Sequence, residues 1–237
     1  MNIVIDQGNS AAKVALFDED TLVKVFYTET LTEVFLANII QEFQPESGIF
    51  CSVKGLKTYE SYKTLRNLYR LNYQLPLPLT IDYQSLPTLG MDRVAAAVGA
   101  ATQKPAANLL VIDIGTAITI DYVTAGGIYK GGNISPGVEL RFKALNHFTD
   151  RLPLVNEEGA IPPLGYDTET AIRSGVIEGI VRELDSYIDE YKKNQNISTF
   201  LTGGYAFYFE SKLKNAIFAD ENLVLKGLNE ILKYQQK

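Results

Sequence analysis

The chain has 237 residues, enough for one large or two modest domains, because domains usually span about 100 to 200 residues. With 46% hydrophobic and 21% charged residues it has the composition of a folded chain with a sizeable core, which excludes intrinsic disorder. The formal net charge is -6 and both signs are spread along the sequence, so no basic field collects polyanions and nucleic acid is not an expected partner. Cys51 and His147 are the only cysteine and histidine, which rules out a disulfide framework and a Cys/His zinc site. Cys51 follows Ile49 and Phe50 and reads as buried. No apolar run reaches the roughly 20 residues of a membrane span, and the N-terminus opens as strand rather than leader, so the expectation is a cytoplasmic protein without membrane contact.

In chain order, Asn2 to Ile5 is a short apolar run that leads into the turn formers Asp6-Gln7-Gly8-Asn9-Ser10. Lys13 to Phe17 and Leu22 to Tyr27 read as two further strands in hairpin connection. Leu31, Val34, Phe35, Ile39 and Phe43 recur at helical spacing, and Ile49 to Val53 comes next as a buried strand. The spacing of Leu65, Leu68 and Tyr69 predicts a helix over 56–71, ending before Pro76 and Pro78. A strand at 79–83 and an alanine-rich helix over 91–102 close the first half. After Lys104-Pro105 the order repeats, with strands at 109–114, 117–123 and 128–134 and a helix at 137–148. A strand at 199–202, helix at 205–213, strand at 216–218 and helix at 222–235 complete it. This gives β-β-β-α-β-α-β-α twice, with domains at 1–105 and 106–237 and a helical insertion over about 150–192. The inserted helix, 168–191, has Ile172, Val176, Ile180, Leu184, Tyr187 and Ile188 on its apolar face, which suits a subunit interface or an internal core equally.

The first strand of each half runs into an Asp-x-Gly turn followed by a small polar residue. These are Asp6-Gln7-Gly8-Asn9-Ser10 and Asp113-Ile114-Gly115-Thr116-Ala117. Glycine permits close backbone approach to phosphate, and amide and hydroxyl groups donate to its oxygens. The aspartates repel phosphate but can hold a cation that offsets its charge. Two such loops at equivalent positions resemble the superfamily of actin, hexokinase and the heat-shock ATPases, in which two ribonuclease-H-like domains grip ATP in the cleft between them. No Gly-x-x-x-x-Gly-Lys-[Ser/Thr] loop occurs, which disfavours a P-loop enzyme. Lys13 is placed to reach a phosphate, or else is a solvated strand-edge lysine. Gly90-Met91-Asp92-Arg93 enters the helix that closes the first half. Its aspartate can orient or deprotonate a hydroxyl and its arginine can bind a carboxylate, unless both are surface groups of a helix start.

Taken in order, Asp6-x-Gly8-Asn9-Ser10-x-x-Lys13, Gly90-x-Asp92-Arg93, Asp113-x-Gly115-Thr116-Ala117-x-Thr119 and Gly131-Gly132-x-Ile134-x-Pro136-Gly137 resemble the signatures of type III pantothenate kinases. The likeness continues through Thr149 to Pro153 and Thr202-Gly203-Gly204. It implies ATP-dependent phosphorylation of pantothenate to 4′-phosphopantothenate, the first step of coenzyme A synthesis, in a homodimer. It assigns Asp6, Gln7, Gly8, Asn9, Ser10, Ala11, Ala12 and Lys13, with Thr116, to ATP, and Asp6 to Mg²⁺ directly or through water. Asp92 is implied as catalytic base; Tyr83, Gly90, Met91, Asp92, Arg93 and Thr168 as the pantothenate site; and Asp113 as holder of a monovalent cation, K⁺ or NH₄⁺. Thr168 follows Asp167 where the family often has Asn. Tyr83 alone would pass for a strand-end aromatic, and His147 reads as structural or solvated. The alternatives are another small-molecule kinase of the superfamily, for a sugar, polyol or acetate, and a ligand-sensing transcriptional accessory protein. The latter lacks a basic surface or helix-turn-helix pattern.

Overall fold

The apolar run at the N-terminus forms β1 (Asn2–Gln7), with Ile3, Val4 and Ile5 buried, and the turn after it returns the chain as β2 (Ala12–Asp18). In this computed structural model, which describes residues 1–54, 60–193 and 195–237, the chain divides into two units. The first comprises Met1–Ala106, Val123–Gly131 and Asn222–Lys237, and the second Ala107–Tyr122 and Gly132–Glu221.

In the first unit β1 pairs antiparallel with β2, and β2 with β3 (Thr21–Thr28). Helix α1 (Glu33–Phe43) starts where Thr32 accepts the Phe35 N–H at 3.2 Å and stops at Gln44, which takes the left-handed conformation. The chain then re-enters as β4 (Ser47–Ser52), parallel to β1. Of the predicted helix over 56–71, the first residues lie outside the described ones, and the rest takes another form. Glu60–Thr64 make a short 3₁₀ turn, and Asn67–Arg70 make strand β5, parallel to β4. Leu65 still reaches the core, but the open edge of β4 offers backbone partners that a helix there would leave unused. The sheet order is β3-β2-β1-β4-β5.

Beyond it, Thr80–Ile81 form the two-residue strand β6, and α2 (Met91–Gln103) comes next. The second sheet contains β7 (Asn108–Ile114), β8 (Ala117–Val123), β9 (Ile128–Pro136), β10 (Ile197–Thr202) and β11 (Phe218–Ala219), in the order β11-β10-β7-β8-β9-β6. Read from β9, its first five strands repeat the order of the first sheet, so the duplication seen in the sequence is a duplication of topology. β6 is an addition to this second sheet, paired with the start of β9.

Two of the helices of the second unit follow β9 in the chain. These are α3 (Val138–His147) and the long α4 (Thr168–Lys192), which begins with a reciprocal cap: Asp167 accepts the Thr170 N–H at 2.8 Å and the Thr170 hydroxyl accepts the Asp167 N–H. Its stripe of Ile172, Val176, Ile180, Leu184 and Ile188 is buried in the core of its own unit against Leu110, Ile112, Ile118 and Leu201. Of the two readings of that stripe, the internal one holds. After α5 (Ala206–Glu210), the last helix α6 (Leu223–Gln235) packs on α2 in the first unit. There two helical glycines remove the side chains from the crossing. A Cβ on Gly99 would overlap the Leu223 carbonyl, and one on Gly227 the Ala95 carbonyl.

Gly227→Ala therefore forces two backbones apart and should cost about 1–3 kcal/mol, a few degrees in Tm by thermal melting. Gly179→Ala on α4, where an added methyl meets nothing within 4 Å, should leave Tm unchanged or raise it.

Candidate active site

In the first unit the sheet brings Asp6, Lys13 and Cys51 into register. Asp6 at the end of β1 faces Lys13 on β2 and Cys51 on β4. The loop between β1 and β2 closes by the Gly8 N–H donating to the Ala11 carbonyl at 3.0 Å, which leaves Asn9, Ser10 and Ala11 exposed at its tip, while Ala12 is buried and begins β2. Gln7 is held from the side, its Oε1 accepting from Ser52 Oγ at 2.9 Å. Lys13 extends over the Tyr27 ring, 5.5 Å from its centroid.

Asp92 lies in the first turn of α2, where its Oδ1 accepts the Arg93 N–H at 2.9 Å and its charge complements the helix N-terminus. Gly90 makes this geometry possible, because a Cβ there would stand 2.6 Å from Asp92 Oδ1. Arg93 is only 6% exposed, so the bland reading of it as a surface arginine fails. The two carboxylates converge electrically on one atom. Burial pushes the Cys51 thiol well above its usual range, and the charges of Asp6 and then Asp92 push it further, against a smaller opposite pull from Arg70. Cys51 is thus a structural neighbour of the site that its sequence position alone did not reveal.

In the second unit the Asp113 turn is clamped by glycines. The Gly115 N–H donates to the Ala117 carbonyl and the Gly137 N–H to the Thr116 carbonyl, each at 3.0 Å. A Cβ on Gly137 would overlap the Gly115 carbonyl, so α3 starts flush against this loop. On the other side Gly203 has φ +90°, and a Cβ there would overlap Asp113 Oδ1. The Tyr205 N–H then donates to the Ile114 carbonyl at 3.2 Å. Loops 113–117, 136–137 and 202–205 therefore form one glycine-lined junction with Thr116 exposed on it. Thr202, in register with Asp113, buries a hydroxyl that finds no hydrogen-bond partner among the described residues. A half-buried carboxylate beside an unsatisfied buried hydroxyl is oxygen chemistry suited to a weakly held monovalent cation.

Thr168 is not itself one of the junction residues, though the groove it lines reaches Pro136. It lines an apolar groove of about 930 Å³ between α3 and α4, with Leu140, Leu145, Phe148, Ala171 and Gly175 among its walls. A separate, more polar cavity of about 470 Å³ has Glu139, Lys143, Glu157, Arg173 and Tyr205 along it. Tyr205 donates to Glu157 at 3.0 Å, and burial followed by that bond raises its phenol far above the ordinary range. Sequence reasoning missed this cavity, and it also missed the bracket in which Glu183 of α4 accepts from Ser135 (2.6 Å) and from Arg141. Glu183 lies more than forty residues from Ser135 and Arg141, and its pairing with them has no signal in the sequence. Tyr83 belongs to the first unit, where its ring lies over Gly131 of β9.

Residues 2–190 match the type III pantothenate kinase family. A type III pantothenate kinase of Azobacteroides pseudotrichonymphae is 55% identical over 242 aligned positions, covering 100% of this chain and 98% of the relative. The chain belongs to the type III pantothenate kinase family. Among solved structures, a Campylobacter jejuni protein named as a Baf-family transcriptional activator is 27% identical, covers 99% of this chain and 98% of its own, and superposes with a TM-score of 0.65. The Clostridium difficile activator of 2-hydroxyisocaproyl-CoA dehydratase, with bound ADPNP, is 11% identical, covers 98% and 93% of the two chains, and has a TM-score of 0.56, a likeness of fold. The fold is α/β with two mixed sheets and neighbours of the actin-like ATPase type. For a type III pantothenate kinase, the departure at Asp167 has a plain structural account: Asp caps α4 here, and Asn caps helices equally well.

Because Cys51 is buried and its thiolate disfavoured, the native protein should resist an aromatic disulfide reagent at pH 8 and release one equivalent of chromophore only on unfolding. Fast reaction in the native state would place the thiol, and the Asp6 and Asp92 charges around it, in water.

Proposed function

We infer that this protein transfers the γ-phosphoryl group of ATP to the primary hydroxyl of pantothenate, giving 4′-phosphopantothenate. The observation that bears most weight is the family match over most of the chain, joined to Asp92 and Arg93 at the N-terminus of α2 with Gly90 leaving room for the carboxylate. In this reading Asp92 accepts the hydroxyl proton, or holds the hydroxyl in line with the phosphorus. Arg93, buried and held by its helix, pairs with the pantothenate carboxylate, and Tyr83, Gly90 and Met91 complete that pocket.

The Asp6–Lys13 loop receives the phosphates: Gly8, whose own N–H closes the loop on the Ala11 carbonyl, permits close approach, Asn9, Ser10, Ala11 and Ala12 offer backbone amides, and Lys13 supplies a positive charge. Thr116 serves the second phosphate loop, whose shape is fixed by the Gly137 and Gly203 contacts. Among the described residues no three or more His, Cys, Asp or Glu gather as a metal cage. Asp6 fits Mg²⁺ in the manner of sites completed by phosphates and water, where the ion offsets charge on the transferring group. Asp113, beside the orphan Thr202 hydroxyl, fits K⁺ or NH₄⁺. The residues position and stabilise, and no covalent enzyme intermediate is required.

We also read the protein as a homodimer in which Thr168 completes a pantothenate site. The support is the apolar groove on which Thr168 lies, with Phe148 81% and Leu140 44% exposed. No helix among the described residues is long and apolar enough to cross a membrane, and the acidic balance gives nucleic acid no footing.

Coupled ADP release with purified protein, Mg²⁺ and ATP should depend on pantothenate and rise when K⁺ replaces Na⁺. Turnover on a sugar or acetate without turnover on pantothenate overturns the substrate. Asp92→Asn should cut kcat by about 10²–10⁴-fold with Tm unchanged, the range for loss of a positioned general base. Phe148→Glu should shift the light-scattering mass from dimer to monomer, and an unchanged dimer puts the interface elsewhere.

A further inference from the structure

We propose that Gly131, the first glycine of the Gly131-Gly132 pair in β9, is a positioning residue for the substrate-side ring of Tyr83. This rests on the reading of Tyr83 as a pantothenate contact. The segment bearing Tyr83 is laid along β9 by main-chain bonds. The Thr80 N–H donates to the Gly127 carbonyl at 3.0 Å and the Asp82 N–H to the Tyr129 carbonyl at 2.9 Å, with Thr80 opposite Ile128 and Ile81 opposite Tyr129. An exposed ion pair between Lys130 and Asp82 at 2.6 Å continues the alignment. One step further along both strands, Tyr83 meets position 131.

A Cβ on Gly131 would stand 2.7 Å from Cδ2 and 2.8 Å from Cε2 of the Tyr83 ring. Carbon atoms rest near 3.5–4.0 Å, so a methyl group there moves the ring by about 1 Å. The ring also lies beside Tyr129, which is fully buried, with centroids 6.4 Å apart and planes at 57°. Tyr83 itself remains partly exposed. The ring therefore has a floor, Gly131, and a wall, Tyr129, and keeps one side for a ligand.

The two glycines of the pair have different reasons to be there. A Cβ on Gly132 would overlap the Ile120 carbonyl, a backbone-packing requirement inside the second unit. Gly131 has φ +86°, which disfavours any L side chain, and in addition carries the ring. Strain and ring displacement are separable, because only the second depends on Tyr83.

A double-mutant cycle of Gly131→Ala and Tyr83→Ala separates them. Tyr83→Ala alone should raise the KM for pantothenate and leave the KM for ATP within about twofold. Gly131→Ala alone should raise the pantothenate KM by about tenfold or more, since a 1 Å misplacement can cost up to 10²-fold. In the Tyr83→Ala background the same substitution should add nothing to that KM, while the loss of Tm from backbone strain persists. An equal rise in both backgrounds, or none in either, overturns the proposal. If Tyr83→Ala leaves the pantothenate KM unchanged, Tyr83 is not a substrate contact and the inference falls with that reading. If Tyr83→Ala raises it and Gly131→Ala does not, only the inference falls. Should Gly131→Ala alone fail to fold, recovery of folded protein in the double variant supports the ring contact. Failure there too, with Tyr83→Ala folded, overturns it.

Discussion

The crossing of α2 on α6 sets the position of the group read as the catalytic base. Gly99 and Gly227 remove the side chains from the contact, so backbone lies on backbone and the two helices approach closely. α6 in turn rests on β1 and β4, the strands that carry Asp6 and Cys51. The start of α2, with Gly90, Asp92 and Arg93, is thus tied to the end of β1 through packed helices rather than through a flexible loop. A carboxylate that must orient a hydroxyl benefits from that rigidity, because small errors in its place are expensive in rate.

The second unit reaches a similar end by another means. Its Asp-x-Gly-Thr turn is fixed by three glycines, Gly115, Gly137 and Gly203, which bring the strand ends of β7, β9 and β10 to one point. The Ser135–Arg141–Glu183 bracket then fastens α4 to the same end of β9. Here backbone meets backbone, which is why glycines dominate the junction.

Much of this was legible in the sequence, and the exceptions are instructive. The hairpin strands of each half were readable because apolar runs stood between strong turn formers, α1 and α4 because their apolar periodicity was long, and α2 because it is rich in alanine. The segment over 56–71 was misread since Leu65, Leu68 and Tyr69 suit a helix by spacing, while the decisive fact, a free edge of β4 for Asn67–Arg70, is non-local. The apolar face of α4 could have met another subunit or its own core, and only packing chooses the core. At the candidate site the Asp-x-Gly motifs announced themselves. The burial of Arg93 and the closeness of Cys51 to two carboxylates did not, as both depend on strand and helix placement.

The first unit is not continuous in sequence, so its maturation waits on the last part of the chain to be made. Its sheet is complete by Arg70, yet α2 stays without its partner until α6 has been made, more than a hundred residues later. β6 likewise waits for β9. A growing chain therefore holds an alanine-rich helix without its main packing partner until Leu223–Gln235 are made, a non-local contact of the kind that slows folding. The segment that bears Tyr83 can therefore settle once β9 is made, whereas the one that bears Asp92 gains its packing partner only with α6.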